Sequence, residues 1–364
     1  MIGLAARIRA RLSMAPGVRA QAAEWRERYT ALRVQFREQA RRQREAQASL
    51  KAQSLRRARR MPSVETLRHM LPLRLPSARR RAARLSPAAS APLSPPAMAR
   101  RVTIDGLAWW VPVLPSQSPA SVERTIAKQR FPYLAIAQTR DVAVSGVMLD
   151  VGANVGRMAI PRVVLGDVTR AYCAEPDELN VQCLGANVSE NGLDGLVMVD
   201  HVAISDRVGR VPLCRGKMSG SHRVIYGNGA PADAESVRCT TLDAWVAERS
   251  IDLTDVTFVK VDTQGSELHV LAGAAGVLDA PHIAWQIEVA PAHLRLAGSD
   301  PGVLYRLLAA RFTHFIDLNP EAEGPRLRQT TDLADAVAYL DRQADAQTDL
   351  VVYRAGRSSG RPAG

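Results

Sequence analysis

The sequence has no apolar run approaching the roughly 18–20 residues that a membrane-spanning helix needs, which argues against an integral helical membrane protein. Cysteine is scarce. Cys173, Cys183, Cys214 and Cys239 are the four in 364 residues, with no C-x-x-C pair and no histidine cluster beside them. That pattern points away from a disulfide framework or structural zinc and toward small apolar residues in a reducing compartment, so a cytoplasmic location is expected. Met1 to Pro16 lacks an uninterrupted apolar core, so no secretory signal is expected; its arginines leave an organelle transit segment as a minor alternative. Acidic residues are nearly missing from the first 100 positions, with 5 Asp+Glu against 23 Lys+Arg, or +18. The other 264 residues carry 31 acidic and 25 basic groups, or −6. A basic arm is thus joined to a mildly acidic body. At 46% hydrophobic residues the chain is not disordered throughout.

Three parts follow from this: residues 1–100 as arm and linker, 101–356 as the folded domain, and 357–364 as a flexible tail. Gln21 to Leu55 contains no Gly or Pro and reads as one helix, with Trp25, Tyr29, Leu32 and Phe36 forming an apolar stripe. Arginines cover its other faces, and residues 71–99 are rich in Pro, Ser and Ala, as in a linker. Apart from simple solvation, residues 21–60 suit an anionic membrane surface, giving a peripheral location, or a partner helix. Nucleic acid is the least expected partner, because no base-reading motif accompanies the charge.

From Arg101 onward, strand and helix patterns alternate. Val102–Ile104 and Leu107–Val113 read as strands joined at Asp105-Gly106, and Ala120–Lys128 as a helix. Further strands are expected at Gly146–Val151, Ala171–Ala174, Val197–Ser205, Thr257–Val261, Ile283–Val289, His314–Leu318 and Leu350–Tyr353. Helices are expected at Asn154–Leu165, Asp177–Asn191, Ser266–Leu278 and Pro301–Arg311. This is an α/β chain with a doubly wound, mostly parallel sheet, whose ligands bind beyond the carboxyl ends of the strands.

The first strand ends in Asp150-Val151-Gly152-Ala153-Asn154-Val155-Gly156. Gly152 allows a sharp turn and close approach to a ligand; Gly156 allows tight helix packing or a second approach. A carboxylate at the strand end opposes a diphosphate and favours a cationic, hydroxyl-bearing ligand, which S-adenosylmethionine is. About 20 residues on, the next strand ends in Glu175, the spacing expected for a ribose-binding acid.

With these pieces in order, the chain resembles the FkbM-type family of S-adenosylmethionine-dependent methyltransferases. The likeness rests on Met148 to Gly156, Ala174-Glu175-Pro176-Asp177, Asn187 to Asn191, Val202 to Asp206 and Thr241-Leu242-Asp243. It continues in Phe258 to Glu267, Val270 to Ala274 and Ile287-Glu288. It implies a class I methyltransferase (Rossmann-like) fold of seven strands, the last antiparallel. It also implies methyl transfer, commonly to a hydroxyl of a sugar, glycan or secondary metabolite. By position, Asp150, Gly152, Asn154 and Gly156 would hold the methionine part of S-adenosylmethionine, and Glu175 the ribose. Val202 and Ala203 would lie along the adenine, with Asp200 or His201 as polar neighbours. Thr263-Gln264 departs from the family pattern of a hydrophobic residue and Glu.

A hydroxyl acceptor needs proton removal. Asp262, at a strand tip, is the first candidate for the base, and Lys260, on the same face by strand alternation, for its partner; a buried structural ion pair is the alternative. Glu267 suits a helix-capping role, while Glu288 and His222 are candidates for substrate binding. No metal is called for. An RNA methyltransferase anchored by the arm, and a non-catalytic scaffold of the same fold, are the competing readings.

Overall fold

The computed structural model describes residues 97–355, apart from 105, 116, 119, 121, 123–134, 137–138, 140–141, 143–144, 228–229, 233, 320–326 and 343–345. It also describes Ala31, Val34, Glu38, Arg42 and Glu45, which are helical and exposed. The remainder of the arm, its linker, the tail and most of the helix expected at 120–128 lie outside the described residues. Among those described, no helix is long and apolar enough to cross a membrane, and the four cysteines are free.

The chain opens with an antiparallel hairpin, β1 (Ala99–Ile104) and β2 (Leu107–Pro112). Next come β3 (Val147–Val151), α1 (Ala159–Leu165), β4 (Arg170–Glu175), α2 (Glu178–Glu190) and β5 (Val197–His201). A smaller sheet is then built from β6 (Ala203–Ser205), β7 (Gly209–Cys214), β8 (Arg223–Val224) and β9 (Glu235–Thr241). The main path resumes with α3 (Leu242–Glu248), β10 (Val256–Val261), α4 (Glu267–Ala272), α5 (Ala275–Asp279) and β11 (Ala284–Val289). It closes with α6 (Pro291–Leu296), α7 (Pro301–Arg311), β12 (His314–Asp317), β13 (Leu327–Gln329), α8 (Leu333–Val337) and β14 (Thr348–Tyr353).

The main sheet has eight strands in the order β13-β12-β14-β11-β10-β3-β4-β5. β3, β4, β5, β10 and β11 run parallel, and β14 runs antiparallel between β11 and β12. The seven expected strands are present, with β13 added at one edge. β3 and β11 are buried at every position, because both faces of the sheet are covered. Strand alternation divides the core in two. Met148, Phe258 and Ala284 join α1, α2 and the hairpin on one side, while Leu149, Val259 and Trp285 join α3 to α8 on the other.

Three expected elements are corrected. The helix expected from Asn154 begins only at Ala159: Asn154 and Gly156 have positive φ, and Pro161 falls within the first turn, where a missing N–H costs little. The strand expected over 197–205 breaks at Val202, where the chain crosses to the smaller sheet. The helix expected over 266–278 is interrupted at Gly273, where a Cβ would lie 2.1 Å from the Ser205 carbonyl oxygen.

The hairpin is fastened to α2 by two asparagines that substitute for a neighbouring strand. Asn191 accepts from Ala108 N at 2.9 Å and donates to its carbonyl at 2.7 Å. Asn187 accepts from Trp110 N and donates to its carbonyl at 3.1 Å. The edge of β2 is thereby satisfied, and Val111 and Pro112 are set at the rim of a cleft.

Candidate active site

The cleft lies beyond the carboxyl ends of β3, β4 and β10 and has a volume of about 650 Å³, within the roughly 300–1,000 Å³ usual for small-molecule and cofactor sites. Gly152, Asn154, Glu175, Val202, Ala203, His222, Lys260 and Asp262 all line it, so most of the residues singled out from sequence share one cleft.

Gly152 has φ +74°, and a Cβ there would sit 1.9 Å from the Asp262 carbonyl oxygen. The bare backbone therefore lets two strand tips meet. Gly152→Ala is expected to lower stability by about 1–3 kcal/mol, the usual cost of forced overpacking, and to displace Asp262. Chemical denaturation of the variant checks this. At Gly156 a Cβ would meet Leu184 Cδ1 at 2.4 Å. This glycine serves helix packing and does not line the cleft.

Glu175 ends β4, almost wholly buried. One carboxylate oxygen accepts from Asn154 N at 2.8 Å; the other accepts from Asp177 N and Asn180 Nδ2, each at 3.1 Å. Burial outweighs these donors and pushes its carboxyl up to about 7. Asn154 holds φ +51°.

Asp150 requires a correction. It is wholly buried and absent from the cleft wall, so it cannot hold a ligand in the cleft directly. It lies in register with Lys260 across β3 and β10, and Lys260 Nζ stands 3.3 Å from its carboxylate. The same ammonium lies 3.3 Å from Asp262 Oδ2 and donates to the Gly152 carbonyl at 3.1 Å. Burial works against charge on Lys260, but Asp150, Asp262 and Asp349 outweigh it and hold the amine protonated above its ordinary range. Burial likewise raises the Asp150 carboxyl, with Lys260 opposing. Lys260 and Asp262 thus meet as strand alternation requires, and Asp150 is the third member.

Asp262 keeps a third of its side chain exposed. Its Oδ1 accepts from Gln264 Nε2 at 3.0 Å, and the same amide lies 3.1 Å from both oxygens of Glu288. Glu288 itself is buried behind Gln264 and does not line the cleft, so the direct substrate contact expected of it is corrected. Burial pushes its carboxyl well above the ordinary range, and the carboxylates of Asp262, Glu267 and Asp349 push it further. Gln264 was singled out only as a departure from a family pattern; its backbone at φ +57° and its bridging amide give it a place in the site. Glu267 Oε1 accepts from Thr263 N, Thr263 Oγ1 and Gly265 N at 2.9–3.2 Å, so it fixes the turn between β10 and α4 and does not cap the helix through its side chain.

His222 stands in the opposite wall with Met218, Ser219 and Gly220. Its Nδ1 accepts from Gly216 N at 3.0 Å, and burial lowers its affinity for a proton. Asp200 and His201 are engaged away from the cleft wall: Asp200 with Trp245 Nε1 at 2.9 Å and with Arg249, His201 with the Pro176 carbonyl at 2.8 Å. Among the described residues no group of three or more His, Cys, Asp or Glu is placed to hold a metal ion.

Counting β3, β4, β5, β10, β11, β12 and β14 as first to seventh, the strands lie in the order three-two-one-four-five-seven-six, with the seventh reversed. A doubly wound sheet of this order, with its cleft at the glycine turn after the first strand, is the class I methyltransferase fold. Residues 150–315 match the family model described as the Methyltransferase FkbM domain, and this part of the chain is a domain of that family. Comparison with curated proteins finds no match. Among solved structures the chain is similar to Methyltransferase FkbM from Methylobacillus flagellatus KT, at 19% identity over 57% of this chain and 44% of that one, with a TM-score of 0.32. It thus spans under half of that protein. It is similar to M. capricolum TrmK in complex with S-adenosyl-homocysteine, at 12% identity over 63% and 71% of the two chains, with a TM-score of 0.31. It is also similar to the C-terminal domain of precorrin-6Y C5,15-methyltransferase from Rhodobacter capsulatus, at 12% identity over 61% and 87%, with a TM-score of 0.31.

Proposed function

We propose that this protein transfers the methyl group of S-adenosylmethionine to a hydroxyl oxygen of a small molecule or glycan. The observation that carries the reading is the placing of two carboxylates, Glu175 and Asp262, at the tips of β4 and β10 on one cleft, with β3 and its glycine turn between them.

The residues present suit such a cofactor. Gly152 lines the cleft with bare backbone, its Cβ position being taken by the Asp262 carbonyl behind it. The acidic strand tips oppose a phosphate and match a ligand with cationic centres. Lys260 stands beside Asp262 and is held by Asp150 and Asp262. Glu175 would hold the ribose diol, Val202 and Ala203 the adenine, and the Gly152–Asn154 turn the methionine part. Asp150 takes part only through Lys260. When bound, S-adenosylmethionine supplies an electrophilic methyl on sulfur. Asp262 would accept the proton of the acceptor hydroxyl. Lys260 and Gln264 each hold one oxygen of Asp262, which fixes the direction of that proton transfer. His222 and the loop around it shield the acceptor side.

Calorimetric titration with S-adenosylhomocysteine, the demethylated cofactor, tests the reading. Saturable binding is expected, and no binding by the folded protein would overturn it. The affinity should depend on pH. Glu175 is a better acceptor when ionised, and its carboxyl sits at about 7. Binding should therefore strengthen by up to about tenfold from pH 6 to pH 8, as the competent fraction rises, and Glu175→Gln should bind weakly with a flat profile. The same group acts oppositely on stability. Its folded value lies above the unfolded one of about 4.3, so its contribution to stability falls as pH rises from about 4 to about 7.

A further inference from the structure

The loop from Arg215 to Val224 closes one side of the cleft, and it is tied to the ribose carboxylate by a short chain of hydrogen bonds. Asn180 stands third in α2, where its backbone N–H is already taken by the Asp177 cap at 2.9 Å. Its side-chain amide has two hydrogens. One reaches Glu175 Oε1 at 3.1 Å and the other the Ser219 carbonyl at 3.1 Å. Both partners are acceptors, which fixes the orientation of the amide. Asn154 repeats the pattern: its backbone N–H donates to the other oxygen of Glu175 at 2.8 Å, and its Nδ2 donates to the same Ser219 carbonyl at 2.9 Å. Two asparagines from different turns therefore each span one carboxylate and one loop carbonyl.

The loop is stiff enough to move as a unit. Ser221 Oγ accepts from Met218 N at 3.1 Å and donates to its carbonyl at 2.8 Å, and His222 Nδ1 accepts from Gly216 N. Its base is pinned by Arg215 to Asp177 at 2.7 Å and to Glu235 at 2.6 Å. Holding Ser219 therefore holds the whole acceptor-side wall.

We propose that Asn180 is a positioning residue that links the cofactor half of the cleft to the acceptor half, so that a nucleoside on Glu175 tightens the 215–224 loop before the acceptor enters. The inference rests on the cofactor reading above. A ribose diol on Glu175 favours the ionised carboxylate, and a charged acceptor grips the Asn180 amide more strongly than a neutral one. The gripped amide keeps its second hydrogen on Ser219. Nucleoside first and acceptor second is the binding order that results.

A lysine-specific protease reads the loop directly, since Lys217 is exposed on it while Lys260 is buried. Cleavage after Lys217 releases the piece 218–364, which cuts at Lys51 and Lys128 leave unchanged. With the wild-type protein, saturating S-adenosylhomocysteine should slow this cut about tenfold or more. In Asn180→Ala the ligand should still bind by calorimetry, yet slow the cut clearly less than in wild type, since only Asn154 still reaches Ser219. Asn180→Ser supplies a second variant if the alanine protein does not fold, with thermal melting to show which is folded. Gln182→Ala, on the same helix with its side-chain amide on Glu178, should behave as wild type. Full protection in a folded, ligand-bound Asn180 variant overturns the proposal, as does absence of protection in ligand-bound wild type. Failure of the wild type to bind the ligand in calorimetry overturns the cofactor reading instead.

Discussion

Replacing Lys260 with methionine should cost this fold about 3–5 kcal/mol, the usual penalty for breaking a buried ion pair from one side. Asp150 has no exposed surface, and Lys260 Nζ at 3.3 Å is its principal compensation. Methionine fills much of the volume but leaves the carboxylate buried without its countercharge. The carboxyl then gains a proton to escape, so its folded value climbs further above the unfolded one of about 3.9. Stability conferred by a group shifted upward is lost as pH rises from the unfolded value toward the folded one. The defect should therefore be larger at pH 8 than at pH 5. Denaturant titrations at both pH values check this. The double variant Asp150→Asn with Lys260→Met should recover part of the loss, because it removes both charges. Equal stability of wild type and Lys260→Met at pH 8 would show that the pair does not carry this part of the fold.

Asp262→Asn should reduce turnover by about 100- to 10,000-fold, the range spanned by a positioned general base. The cofactor side should hardly respond. Glu175 and its three donors do not touch Asp262, and Lys260 retains Asp150 at 3.3 Å. Affinity for S-adenosylhomocysteine within a few-fold of wild type, with the chemical step slowed in single turnover, is the expected split. The acceptor for that measurement comes from following labelled methyl groups into fractionated small molecules and glycans. If Asp262→Asn instead lost nucleoside affinity and kept its single-turnover rate, Asp262 would be a binding group and the base would have to be sought elsewhere.

Much of the cleft was legible because its signals are local. A glycine after an apolar strand announces a turn, and Glu175 follows at the spacing of the next strand tip. Val202 and Ala203 follow at the third. Lys260 and Asp262 share a face because strands alternate. What failed was non-local. Asp150 ends its strand as predicted, but its neighbour across the sheet is Lys260, a residue 110 positions later paired in register; no local pattern shows that the carboxylate turns away from the cleft. Glu288 was expected at the substrate for the same reason, and the Gln264 amide stands in between. Asn180 gave no signal, being one polar residue in the first turn of a helix. The smaller sheet was missed although Val211 and Leu213 are buried at alternate positions, since Pro212 stands between them and β7 and β9 flank a Gly-rich stretch that reads as a loop.

That smaller sheet has a consequence for how such a protein can diversify. β6 and β9 lie side by side and parallel, with Ala203 opposite Cys239, so the polypeptide leaves the main body and returns to it at adjoining points. Insertions with neighbouring ends disturb their host little. The excursion between them builds one wall of the cleft, while Gly152, Glu175 and Asp262 all lie outside it. Under the function proposed, its length and side chains could be exchanged as a cassette, provided that the Ser219 carbonyl stays within reach of Asn154 and Asn180.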